Sequence, residues 1–119
     1  MGLYADGYVI PVPKRKLKAY LRLARLGERV WLDHGALEYR ECVGEDLDVE
    51  CGIPFPRLAK IRRGETVVFS WIVYRSRAHR DRVNAKVMKD PRIGGMDFAS
   101  MPFDFKRMTH GGFSVRVGG

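Results

Sequence analysis

From Thr66 to Tyr74 nearly every residue is apolar, and the run splits into two alternating registers. Val67, Phe69, Trp71 and Val73 fall on one side, Val68, Ser70, Ile72 and Tyr74 on the other. Alternation over so short a run, rich in β-branched and aromatic residues, predicts a strand. Tyr4 to Val12 reads the same way and stops among prolines. Over residues 14–35 the period lengthens. Leu17, Tyr20, Leu21, Ala24, Trp31 and Leu32 share one face of a helix that Gly35 would end. Gly27 costs such a helix about 1 kcal/mol relative to alanine. Ala36 to Val43 predicts a second strand, and residues 44–64, with an acidic start and Pro54 and Pro56 around Phe55, a long loop. A second helix is expected over 76–90, with Ser76 as N-cap and Asp90-Pro91 as its end. Residues 91–104 read as a loop and 106–117 as the last strand.

The order is β-α-β twice over. It predicts one α+β domain over residues 1–119, of ferredoxin-like βαββαβ type, with an antiparallel sheet and both helices on one face. Such a sheet should be polar on its uncovered side, yet the third strand is apolar on both, and so is the first, where Tyr4, Tyr8 and Ile10 oppose Ala5 and Val9. Each large side chain left in water forgoes about 1.5–3 kcal/mol. The expected remedy is a second copy packed sheet to sheet, hence a homodimer.

Charge and composition narrow the function without naming it. The net charge of +8 in 119 residues favours anionic partners. No apolar run reaches the roughly 20 residues of a membrane span and no leader pattern is evident, so the reading is cytoplasmic, with no membrane partner. Cys42 and Cys51 form no CxxC pair, and the three histidines are widely spaced, so no metal signature and no cofactor is expected. Both thiols are expected reduced.

The segments VVFSWIVY, NAKVMKDPR and above all MPFDFKRMTHGGF, with DGYV and GALEYREC earlier in the chain, resemble the YbaA-like family of small bacterial proteins, a domain-of-unknown-function family. That resemblance covers nearly the whole chain and is weakest over residues 44–64. It implies the dimeric α/β-barrel superfamily, in which small molecules bind between sheet and helices. It carries no reaction with it.

Several residues could bear chemistry. In the tail motif Asp104 could serve as base or ligand anchor, Arg107 as an anion clamp and His110 as a proton carrier. If residues 106–110 are strand, Lys106, Met108 and His110 face one way and Arg107 and Thr109 the other, which splits the cluster. The structural alternative has Asp104 fixing a turn and Gly111 and Gly112 allowing a bulge or a close approach. Cys42, with Arg40 on its face, could be a nucleophile or a small buried hydrophobe. Arg80 and Asn84, one helical turn apart, and Trp71 are ligand-binding candidates, although a half-buried Asn as readily ties a helix to its neighbours. Arg15, Lys18, Arg22, Arg25 and Arg29 form a basic stripe that could follow nucleic-acid phosphates, with no motif in support, or simply be a solvated face. The leading expectation is a small-molecule binding or modifying homodimer. The alternatives are a nucleic-acid-binding dimer and an interaction module.

Overall fold

The computed structural model describes residues 2–119, Phe98 by its backbone only. The chain runs β1 (Tyr4–Pro13), α1 (Leu17–Asp33), β2 (Glu38–Val43), α2 (Phe55–Leu58), β3 (Glu65–Tyr74), α3 (Arg77–Lys89), α4 (Pro91–Gly94) and β4 (Thr109–Ser114). Single 3-10 turns occupy residues 14–16, 98–100 and 105–107. The strands form one antiparallel sheet in the order β2-β3-β1-β4. The result is a mixed α+β structure built on a four-stranded antiparallel sheet.

Register decides which residues share a face. β1 and β3 pair from Tyr4 opposite Tyr74 to Pro13 opposite Glu65, so even-numbered residues of both strands lie on one side. That side meets the two long helices. Ile72 and Tyr74 pack with Val30 of α1 and with Val83 and Val87 of α3, and Ile10, Val12 and Val68 pack with Tyr20 and Ala24 of α1. Ser76 caps α3 by accepting from the His79 N–H at 3.1 Å.

The odd-numbered face is only partly sheltered. Residues 44–64 are not plain loop: they include α2, and Leu47, Ala59 and Ile61 fold back onto Val9 and Val67. Beyond that patch the apolar surface stays open. Phe69 is 43% exposed and Phe113 63%. Phe55, Phe69 and Trp71 form a ladder of rings with centroids 5.7 and 5.6 Å apart.

Three expectations need correction. Leu32 is 41% exposed. The buried line of α1 runs through Tyr20, Ala24, Gly27 and Val30, a spacing of 4-3-3 that turns Leu32 away from the sheet. The last strand begins at Thr109 rather than Lys106, because Phe105–Arg107 is a 3-10 turn. The alternation inferred for residues 106–108 therefore does not apply. Pairing of β1 with β4 is regular from Tyr4 opposite Ser114 to Val9 opposite Thr109, so the glycine pair makes no bulge. Gly112 instead leaves room for Tyr4, whose hydroxyl lies where a Cβ would stand.

Candidate functional site

One row of residues crosses the whole sheet on its helix-facing side. His110 of β4 is opposite Tyr8 of β1, Tyr8 is opposite Ser70 of β3, and Ser70 is opposite Glu41 of β2. Below this polar row the sheet presents Ile10 and Val68, and above it Ile72 stands opposite the buried Asp6. The His110 ring lies parallel to the Tyr8 ring, 13° off and 6.0 Å away, at an exposed edge.

The middle of the row opens into a cavity of about 330 Å³ between sheet and helices. Tyr8, Ser70 and Glu41 form its floor, with Ile10, Ile72 and Tyr39 beside them. Tyr20, Ala24, Gly27 and Trp31 of α1 supply one wall. The segment after α3 supplies the rest, through Ile93, Met96, Met101, Phe103, Phe105 and Met108. With Met88, four of the five methionines in the chain line this space. Tyr20 and Phe103 meet edge to face at 5.5 Å, and Phe103 and Phe105 lie 4.8 Å apart, so one end is walled by aromatic rings.

Glu41 is the one carboxylate of the described lining. It is half-buried, and each oxygen accepts one phenol: Oε1 from Tyr20 at 2.7 Å, Oε2 from Tyr39 at 2.8 Å. Burial pushes its carboxyl above the usual range, and the two hydroxyls pull the other way. Burial also raises Tyr8, Tyr20 and Tyr39 far above the ordinary phenol value, so all three stay protonated at any physiological pH. They can donate to a ligand oxygen or to Glu41. Glu41 can hold a proton or a positive charge. The same carboxylate borders a shallower surface cleft that Leu21, Arg25, Glu28 and Arg40 also line.

Gly27 explains how Tyr39 reaches its partner. A Cβ at Gly27 would stand 2.6 Å from the Tyr39 hydroxyl. The helix thus gives up some intrinsic stability at this position, and the phenol of the edge strand passes beneath it to Glu41. An alanine there would push that hydroxyl off the carboxylate.

The residues singled out from sequence lie elsewhere. Asn84 Oδ1 accepts from Trp31 Nε1 at 3.1 Å and from the Tyr74 hydroxyl at 3.2 Å, joining α1, β3 and α3. Arg80 Nη1 donates to Asp6 at 2.7 Å, and its guanidinium lies 5.0 Å from the centre of the Tyr4 ring. Trp71 is on the opposite sheet face, where Nε1 donates to Glu38 at 2.6 Å. Cys42 is also on that face, exposed, and Cys51 is exposed as well. Asp104 accepts from the Lys106 N–H at 3.0 Å and so caps the 105–107 turn. Arg107 binds both oxygens of Glu65, at 2.6 and 2.8 Å, and the Lys60 carbonyl at 3.0 Å, pulling the Glu65 carboxyl below its usual range. Asp104, Arg107 and His110 therefore do not converge, and none of the three lines the cavity. Among the described residues Lys18, Arg22, Arg25 and Arg29 along α1, and Arg15 in the turn before it, are exposed and make no ion pair within 4 Å. No cluster of three metal-ligating side chains occurs among the described residues, and no described helix is long and apolar enough to cross a membrane.

Glu41 and the three tyrosines escaped the sequence reading, although a signal was present. Alternation in EYRECV puts Tyr39, Glu41 and Val43 on one face and Glu38, Arg40 and Cys42 on the other. The aromatic and apolar neighbours of Glu41 mark its face as the inner one.

Comparison with known proteins places the chain in context. A family model described as "Protein of unknown function (DUF1428)" matches residues 3–105. Proteins named "Uncharacterized protein YbaA" from Escherichia coli K12, Escherichia coli O157:H7 and Shigella flexneri are each 42% identical over 111 residues. The alignment spans 92% of this chain and 93% of each relative.

Proposed function

The chain belongs to the DUF1428 family of proteins of unknown function, and we propose that it binds a small, largely apolar molecule between sheet and helices, with Glu41 as the polar anchor. The observation that carries this reading is Glu41 itself. A carboxylate withdrawn from water costs stability unless paired with a cation, and its only protein partners among the described residues are two neutral phenols. The two phenols need an acceptor there, and a neutral one would serve them as well as an acid. An open, mostly apolar cavity with a few convergent polar groups is the usual form of a small-molecule site. The basic stripe of α1 makes a weaker case for nucleic acid, since solvated arginines on an amphipathic helix need no ligand to explain them.

The strand order 4-1-3-2 with both long helices on one face supports a ferredoxin-like assignment. The open aromatic ladder on the other face supports a homodimer packed sheet to sheet, hence a dimeric α/β barrel. Two exposed free thiols accord with a reducing, cytoplasmic location. Ligand and dimer surfaces are then on opposite sides of the sheet and do not compete.

Methionine methyl groups offer a direct test. In protein labelled at the methionine methyls, titration with a library of small aromatic fragments should shift the signals of Met88, Met96, Met101 and Met108 together, since all four line the cavity. Binding fragments that leave these signals in place, or no binding at all, would contradict the proposed site.

A further inference from the structure

We infer that the cavity selects organic cations: small ammonium compounds with apolar or aromatic substituents. The inference rests on the proposed site and adds the sign of its ligand's charge. Among the described residues of the lining there is no Lys, Arg or His, and the one acid is Glu41. Among the described residues no cation lies within ion-pair distance of it. Its two phenol partners carry no charge, and a carboxylate offers about four acceptor positions, so two remain for a ligand. Arg25, Arg40 and Glu28 border the surface cleft that shares Ala24, Tyr39 and Glu41 with the cavity, and neither arginine lines the cavity itself.

The walls suit the same ligand. A cation over the face of Trp, Tyr or Phe is attracted by the ring quadrupole, most strongly where water is excluded. Tyr8, Tyr20, Tyr39 and Trp31 stand around the Glu41 end, with Trp31 and Tyr39 tilted 46° at 6.0 Å. Apolar substituents would lie toward Met96, Met101, Met108 and Phe103. Thioether side chains are flexible and polarizable, and they adapt to different shapes. An anionic ligand would meet Glu41 with no compensating charge, and a neutral donor could fill the free acceptor positions but would leave the negative charge unbalanced. A cation alone satisfies both the acid and the rings. The expected class is therefore broad in shape and strict in charge.

Three probes of nearly equal shape separate charge from fit: phenyltrimethylammonium, its neutral isostere tert-butylbenzene, and benzenesulfonate. Binding is followed at pH 8 by methionine methyl shifts on the intact protein. The cation should bind about tenfold or more tightly than the isostere, which corresponds to about 1.4 kcal/mol, and the sulfonate should not bind. Glu41→Gln, close in shape, should remove most of the cation's advantage over tert-butylbenzene, the remainder being the attraction of the rings, while leaving the affinity for tert-butylbenzene unchanged. Equal affinity for cation and isostere in the wild-type protein overturns the inference but leaves a small-molecule site standing. Failure of all three probes to bind overturns both. The wild-type comparison decides the matter even if the variant does not fold.

Discussion

Phe69→Asp should turn a dimer into a monomer. In sedimentation at micromolar concentration the wild-type chain is expected at twice its 13.6 kDa, and the variant at 13.6 kDa. Phe69 stands in the middle of the Phe55–Phe69–Trp71 ladder, on the face that no helix but the short α2 approaches. Phe69, 43% exposed, shares its sheet face with Phe113, 63% exposed, whose ring reaches over Gly7, the β1 partner of Trp71. Paired about a two-fold axis, each Phe69 would lie close to the interface centre, where a buried carboxylate without a partner is costly. The fold of one protomer should survive, because the Phe69 side chain points away from the core made by Val68, Ile72 and Tyr74. A wild-type chain that sediments at 13.6 kDa would remove the dimer from the account and leave the cavity unaffected.

Arg80→Met should destabilise the protein by about 3 kcal/mol at neutral pH, the usual consequence of removing one partner from a buried ion pair. That loss lowers Tm by on the order of 10 °C for a chain of this size. Asp6 is only 4% exposed and sits on β1 beneath α3, with Arg80 as its one cationic partner at 2.7 Å. Even with that partner, burial holds the Asp6 carboxyl above its ordinary value, with Arg80 and Asn84 pulling it down. Without Arg80 it rises further. An acid whose folded value is raised contributes stability below its unfolded value, and this is lost as pH rises through the folded one. The deficit of the variant should thus be small near pH 4 and full at pH 8. Adding Asp6→Asn should recover much of it. A pH-independent deficit in chemical denaturation would show that Arg80 acts by packing against Tyr4 and not through its charge.

Strand and helix periods made most of the fold legible. Each strand of the sheet, the two long helices, the Ser76 cap and the stop at Asp90 could all be read from local pattern. What escaped depended on distant neighbours. The 44–64 segment has little period of its own and is ordered by contact of Ala59 and Ile61 with Val9 and Val67. The 105–107 turn is set by Asp104 and anchored through Arg107 to Glu65, 42 residues earlier. The site was the least legible part. His110, Arg107 and Asn84 carry the side-chain chemistry that a sequence offers most readily as a site. In the fold Arg107 and Asn84 bind other parts of the chain, and His110 stays at an exposed edge. Glu41 looked like one more strand charge. Only the register of β2 against β3 sets it in line with Ser70 and Tyr8, and only a glycine one helix away lets Tyr39 reach it.

Glu41 is a half-buried acid that faces an open cavity with no cation paired to it among the described residues, and titration of its side-chain carboxyl carbon by NMR, with Glu41→Gln assigning the signal, tests this most directly. The midpoint should lie above the ordinary glutamate value and move higher still in Tyr20→Phe and Tyr39→Phe, each of which removes one donor. A midpoint at or below the ordinary value, unmoved by either phenylalanine, would mean that Glu41 is solvated or paired with a cation, and the proposed site would fall with it.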